Sequence, residues 1–225
     1  MNDPTAKHPA ARFNSRCPLL RLTAPVIALS TLFSEPAAAQ SVATDSSPIE
    51  ERNPLSIGLY AGELYKSEYL DVLYQPWDLR LTPSYLVALN VVYRIHRFDS
   101  LPLQLEGEFD VAKRFHGADQ YDIVLTPFVR WTSFPWNRVL YTNARISALG
   151  PSYTTGVSAW EREKSGNDHG SNLLDFSALE VTFAASENAR SEVFLRVHHR
   201  SGIYGLINGV RAGSNYLALG FRVFL

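Results

Sequence analysis

Residues 101–111 (LPLQLEGEFDV) alternate between apolar and polar side chains, and this pattern constrains the fold more than any other feature. Successive side chains on a β-strand point to opposite faces, whereas a helix would scatter the same residues around its circumference. The segment is therefore predicted to be a strand between an apolar and a charged environment. One face carries Leu103, Leu105, Gly107, Phe109 and Val111, and the other carries Gln104, Glu106, Glu108 and Asp110.

The same alternation recurs along the chain, which predicts eight strands and almost no helix. Short turns are expected near 97–100, 133–137 and 185–191, and longer loops near 66–82, 114–120, 151–172 and 203–213. Strict alternation of long and short connections is typical of an up-and-down membrane barrel with short periplasmic turns and longer outer loops. We therefore predict an all-β fold, an eight-stranded antiparallel up-and-down transmembrane β-barrel.

The charged face is predicted to fill the barrel, whose interior at eight strands is just wide enough for side chains. Tyr121 and Trp131 share the apolar face and would stand about 25 Å apart along the membrane normal, the height of a lipid-facing band. The alternative is a soluble lipocalin-like barrel that is apolar inside. The loop pattern, the aromatic spacing and the alternating end at Leu225 favour the membrane. The predicted internal partners are Glu106, Glu108, Asp110 and Glu180 with Arg130, Arg145, Arg196 and Arg222.

The composition and strand number of the chain argue against several classes of function. The formal net charge of -1 gives no indication of nucleic-acid binding. The single cysteine, Cys17, excludes a disulfide framework and a cysteine-based zinc site. Because His198 and His199 are adjacent on a strand, they face opposite sides, and no metal site is expected there. An open pore is disfavoured because eight strands leave little lumen.

Residues 1–39 have the features of a secretory signal peptide, which implies export. Basic residues precede the apolar run 22–33, and Ala37-Ala38-Ala39 offers a cleavage site. A short N-terminal anchor helix is the alternative, but the run is too short to span a bilayer and Pro25 interrupts it. Residues 40–54 are predicted to be a polar lead-in, and residues 55–225 to form the barrel.

Candidate chemistry lies at the end of the seventh strand. The predicted lipid-facing set of Val193, Leu195 and Val197 continues into His199 and Ser201. Positions i and i+2 of a strand are neighbours on one face, so His199 can serve as general base for the Ser201 hydroxyl. With both termini in the periplasm, this strand runs outward and ends near the outer-leaflet head groups.

A His-x-Ser pair near the C-terminal end of a small barrel resembles the PagL-type lipid A 3-O-deacylases. The resemblance implies an outer-membrane barrel of Gram-negative bacteria with its active site on the outer wall and no cofactor. Ser201 would be the nucleophile and His199 the base, and the substrate would be the ester-linked acyl chain at position 3 of lipid A, the anchor of lipopolysaccharide. Insertion would require the barrel assembly machinery.

The sequence departs from the family pattern at two positions. The family's oxyanion-hole Asn follows its Ser directly, and Gly202 stands there. Its His-orienting Glu lies about a dozen residues further on, where this chain has Gly213. The sequence leaves several substitutes open: Asn208 or Asn215 for the donor, and Glu161, Glu163 or Glu180 for the acid. The competing interpretation of residues 198–201 is a basic rim on a non-catalytic barrel with a structural, adhesive or lipopolysaccharide-binding role.

Overall fold

The computed structural model describes residues 52–116, 119–157, 159–165 and 170–225. Eight antiparallel strands close into one barrel in chain order, which confirms the predicted fold class. The predicted signal peptide and residues 40–51 of the predicted lead-in lie outside the described residues. The strands are β1 Leu55–Tyr65, β2 Leu81–Arg97, β3 Leu103–Phe115, β4 Gln120–Trp131, β5 Tyr141–Thr154, β6 Leu173–Ala184, β7 Ser191–Ser201 and β8 Gly213–Phe224.

Short helices that the alternation does not predict lie in the loops. Helix α1 spans Asp71–Tyr74 and α2 spans Ala159–Ser165, with 3₁₀ turns at Pro76–Asp78 and Ile203–Gly205. None of the helices in the described part of the chain combines the length and apolar character needed to cross a bilayer.

Strand β1 closes the barrel on β8, with Ser56 paired to Phe224 at one end and Tyr65 to Asn215 at the other. The chain ends of the barrel therefore lie at one end, and we call the opposite end the outer end. The predicted strict alternation of long and short connections is wrong at one place. The outer connection 116–119 is shorter than the connection 132–140 at the opposite end, because β3 and β4 remain paired up to Arg114 and Gln120.

The interior is an ionic network, as the sequence predicts. Arg145 contacts three carboxylates, those of Glu106 at 2.6 Å, Glu180 at 2.7 Å and Glu108 at 2.8 Å. Each contact offsets part of the desolvation cost that a buried charge carries. All eight predicted residues take part, through the further pairs Arg130–Glu106, Arg196–Glu108, Arg196–Asp110 and Arg222–Glu180.

The outer mouth is plugged by α2, which folds into the barrel. Glu161 is fully buried and pairs with Arg200 at 2.6 Å and with Arg114 at 3.3 Å. Trp160 of the same helix packs against the apolar cluster around Tyr60 and Tyr216. The interior is therefore filled with side chains rather than open as a pore.

The exterior is apolar. Burial alternates without exception along β4, and the outward Tyr121 and Trp131 at its two ends are 50% and 43% exposed. Outward Leu59, Leu89 and Leu219 are also exposed on other strands. A barrel with carboxylates and guanidinium groups inside and leucine outside is a membrane barrel, so the lipocalin-like alternative does not apply.

Candidate active site

A polar patch interrupts the apolar exterior at the outer end of β6, β7 and β8. We call residues paired across neighbouring strands a rung. One rung holds Ser177, His199 and Asn215, and a second rung, two residues further outward along β7, holds Asp175, Ser201 and Gly213. We call the five residues with polar side chains on these two rungs the outer-wall patch.

The structure places His199 and Ser201 on the outer wall, as the alternation predicts. The residues between and before them, Arg200 and His198, are fully buried. Arg200 pairs with Glu161 inside the barrel, and His198 lies 3.0 Å from the Tyr60 hydroxyl. The two neighbouring histidines therefore face opposite sides. The described residues contain no group of three or more His, Cys, Asp or Glu side chains placed to share a metal ion.

Asn215 fixes the orientation of the His199 ring. Its Nδ2 donates to the Ser67 carbonyl at 2.9 Å, which leaves its Oδ1 for the His199 Nδ1 at 2.5 Å. Since an amide oxygen can only accept, Nδ1 carries the proton in this arrangement. The accepting lone pair of neutral His199 is then on Nε2. This is the tautomer in which Nε2 can act as a general base.

Tyr69 covers His199 from outside. The two rings stack with centroids 4.3 Å apart and planes 24° apart. A hydrogen bond joins Tyr69 to Ser177, and burial raises the pKa of Tyr69 to about 12, so the phenol stays protonated. Tyr65 donates to the Tyr69 carbonyl at 2.8 Å. Together these contacts hold the start of the 66–80 segment against the outer-wall patch.

Ser201 lies on the same face of β7 as His199 but is not hydrogen-bonded to it. Its Oγ accepts from the Ile203 backbone N–H at 3.4 Å, and within the described residues it has no hydrogen bond to His199. Ile203 has φ 48° and Tyr204 has φ 55°. A β-branched residue rarely adopts the left-handed region, and such strain is often found at functional sites. This turn brings the Ile203 N–H back towards the serine.

Two of the three carboxylates proposed from the sequence as the orienting acid are ruled out. Glu161 and Glu180 are buried inside the barrel in the arginine network. Glu163 lines a cavity of about 280 Å³ at the outer mouth, with Lys66 and Trp160. The carboxylate on the rung of Ser201 is instead Asp175, directly across from it on β6 and 7% exposed. Asp175 is not among the site residues predicted from the sequence, because its position beside Ser201 depends on the pairing of β6 with β7.

The two asparagines proposed as oxyanion donors have other partners. Asn208 donates to the Ser171 hydroxyl at 2.9 Å and to the Leu173 carbonyl at 2.7 Å. Asn215 is committed to Ser67 and His199. Asn215 therefore occupies the orienting position for which the family resemblance implies an acid, and the side-chain amides of both asparagines donate to other partners in this arrangement.

Solved structures of two other barrel proteins resemble this chain in fold. The chain is similar to the outer membrane enzyme PagL, with 14% identity and a TM-score of 0.50 over 76% of this chain and 99% of that one. It is also similar to Neisserial surface protein A (NspA), with 13% identity and a TM-score of 0.43 over 78% of this chain and all of that one. No protein-family model and no curated protein sequence matches the chain. The likeness to PagL shows a shared barrel fold.

Proposed function

We propose that the protein is an outer-membrane esterase that removes an ester-linked acyl chain from lipid A. The observation that carries this proposal is the His199 ring, held by Asn215 in the basic tautomer beside Ser201 on the lipid-facing wall. A solvated rim would not require a histidine so firmly oriented and covered by a second aromatic ring.

In the proposed reaction, Ser201 Oγ attacks the ester carbonyl carbon while His199 Nε2 takes the hydroxyl proton. Collapse of the tetrahedral intermediate breaks the bond to the sugar oxygen, which leaves with the proton from His199. Water then attacks the acyl-serine, His199 again moves the proton, and a free fatty acid is released. Ser201 must first rotate about its Cα–Cβ bond, which moves its hydroxyl from Ile203 to His199.

The carbonyl oxygen of the ester becomes negatively charged in the tetrahedral intermediate and needs a hydrogen-bond donor. The Ile203 N–H already points at the Ser201 oxygen, so after the rotation it would be free beside the reacting carbon. Loss of one such donor typically costs about 10²–10³ in rate. The backbone at Ile203 would thus replace the side-chain amide that the family places after its serine.

The position of the outer-wall patch matches the chemistry of a membrane lipid. Ester bonds lie where the head groups meet the acyl chains, and the patch lies where the polar outer end of the wall meets its apolar band. We further propose that residues 1–39 direct export, that residues 40–54 are a polar lead-in, and that the barrel assembly machinery inserts the barrel into the outer membrane of a Gram-negative cell.

A second candidate is a non-catalytic barrel with a structural, adhesive or lipopolysaccharide-binding role. It is favoured by the Ser201 hydroxyl, which bonds to Ile203 rather than to His199. Gly202 and Gly213, in the places of the family's Asn and Glu, favour it too. In that case Arg211 and Lys66 at the outer rim would meet lipid phosphates instead.

Mass spectrometry of lipid A separates the two functions. The purified barrel is incubated with lipid A in several detergents, and loss of one 3-hydroxyacyl chain is followed over time. The esterase predicts a stoichiometric release of fatty acid. An unchanged lipid A in every detergent, with the barrel shown to be folded by its heat-modifiable gel migration, would contradict the esterase and leave the second candidate.

Asn215 is predicted to act as a positioning residue for His199. Asn215→Ala should lower kcat about 10²-fold with little change in KM, because a misplaced catalytic ring loses about that much. Asn215→Asp should recover most of the rate, because a carboxylate also accepts from Nδ1. Asn188→Ala, at an exposed turn of the opposite end, is the matched control. Equal losses in the Ala and Asp variants would show that Asn215 has only a structural role.

A further inference from the structure

The 66–80 segment does not extend away from the barrel but folds back onto its outer wall. Its start is fixed at the outer-wall patch by Ser67 and Tyr69. Further along, Val72 and Leu73 of α1 reach over the outer faces of the strands that carry the patch. The 66–80 segment therefore covers part of the outer wall of the barrel, and we call it the roof.

An apolar groove of about 560 Å³ lies beneath this roof. It starts two residues below His199 along β7, on the rung where Val197 pairs with Leu179 and Leu217. Two residues further down, Leu195 lies about 20 Å along β7 from Ser201 at about 3.3 Å per residue. The groove continues around the barrel, and its other outward-facing lining residues are Leu103, Val129, Trp131, Ala144, Ile146 and Val181.

The direction of the groove suits a lipid tail. Rungs run across the strands, and barrel strands are tilted by about 35–45°, so the groove descends obliquely from the outer-wall patch into the membrane. The outer surface of the roof is apolar as well, since Leu73 is 60% exposed and Trp77 is 78% exposed. Such side chains on a roof that lies over the apolar band would contact lipid.

We propose that this groove binds one extended acyl chain of the substrate, and that Val72 and Leu73 determine which chain length is accepted. This inference rests on the proposed esterase function, because the ester carbonyl must lie at Ser201 while the chain lies in the groove. A roofed groove of fixed length distinguishes one tail from its neighbours in a way that an open wall cannot. A hydrophobic pocket discriminates a single methylene by about tenfold or more.

The first test is a competition between chain lengths. Wild type and Val72→Trp are given an equimolar mixture of synthetic lipid A molecules whose ester-linked chains differ in length, and the released fatty acids are quantified. Val72→Trp, which fills part of the groove, should lower the ratio of long to short product at least about tenfold. Leu89→Trp, on the exposed outer face of β2, is the control and should keep the wild-type ratio. The ratio is independent of how much protein folds. Identical ratios in wild type and Val72→Trp would overturn the inference while leaving the esterase intact.

The second test does not need turnover. Ser201→Ala is placed in phosphatidylethanolamine vesicles that contain a small share of a lipid with a diazirine at the end of its ester-linked acyl chain. After irradiation, the labelled peptides are identified. We expect the peptides carrying Val72 and Leu195 to be labelled several-fold more than the one carrying Leu89. Equal labelling would contradict acyl-chain binding in the groove, whether or not the protein hydrolyses lipid A.

Discussion

Ser201→Ala is expected to lower the rate of acyl-chain release from lipid A at least about 10³-fold. Alanine removes the attacking oxygen, and what remains is the modest rate that binding and the oxyanion donor alone provide. His199→Ala should cause a loss of similar size, and the double variant should lose no more than either single variant, because residues that act as a unit are not additive. The measurement is single-turnover release of fatty acid, followed by mass spectrometry.

Ser100→Ala is the matched control, since Ser100 is exposed in a turn at the opposite end of the barrel. It should retain the wild-type rate, and all variants should show the same heat-modifiable gel migration. If Ser201→Ala releases fatty acid as fast as Ser100→Ala, another residue supplies the nucleophile and the site assignment is wrong.

Arg145→Met is expected to lower the free energy of unfolding by about 3–5 kcal/mol, the usual cost of breaking a buried ion pair from one side. The loss is large because Arg145 is the shared partner of Glu106, Glu108 and Glu180. Methionine has a similar length but leaves these carboxylates with less compensation in the interior. Urea unfolding in detergent micelles, followed by tryptophan fluorescence, measures the change.

Arg138→Met provides the comparison, because Arg138 lies exposed in the connection between β4 and β5. Its effect should stay within about 0.5 kcal/mol, as is usual for surface substitutions. Equal unfolding free energies for the Arg138 and Arg145 variants would mean that the internal network does not hold the barrel together.

The faces of the strands could be predicted from the sequence because successive side chains of a regular strand point to opposite faces. Once Glu106 and Glu108 are assigned inward, every second residue of β3 follows, and the partners of the internal arginines are limited to the same face. The bulge in β5 is an exception that the alternation does not predict, because the inward positions change from Arg145 and Ser147 to Gly150 across it. The same parity puts His199 and Ser201 outside. Glu192, which contacts Arg130 at 3.2 Å inside the barrel, follows the same parity but is not among the predicted internal partners.

The partner of His199 could not be predicted, because it depends on pairing between strands. Asn215 lies opposite His199 only when Ser201 pairs with Gly213, and the connection between these two residues contains left-handed backbone at Ile203 and Tyr204. Left-handed backbone at these two residues is not a property that their side chains favour. Alternation along one strand carries no information about the register between β7 and β8.

The loops were the least predictable part for a related reason. Glu161 belongs to α2, which turns into the barrel, and Tyr69 belongs to a segment that folds onto the outer wall. Both placements result from burial of apolar and charged side chains against distant strands. The sequence predicts both segments as loops, but the direction that each loop takes is a tertiary property.

Between bulges, the side chains of each strand face lipid and a packed ionic interior in turn. This alternation is tested most directly by single cysteines at neighbouring positions 125 and 126 of β4, in a Cys17→Ser background. Leu125 is 60% exposed on the outer wall, whereas Thr126 is buried against Ser147. In lipid vesicles, a spin label at position 125 should show high oxygen accessibility and low accessibility to a water-soluble nickel complex, and the cysteine at 126 should resist labelling. A label at 126 that reports lipid, or one at 125 that reports water, would contradict the account.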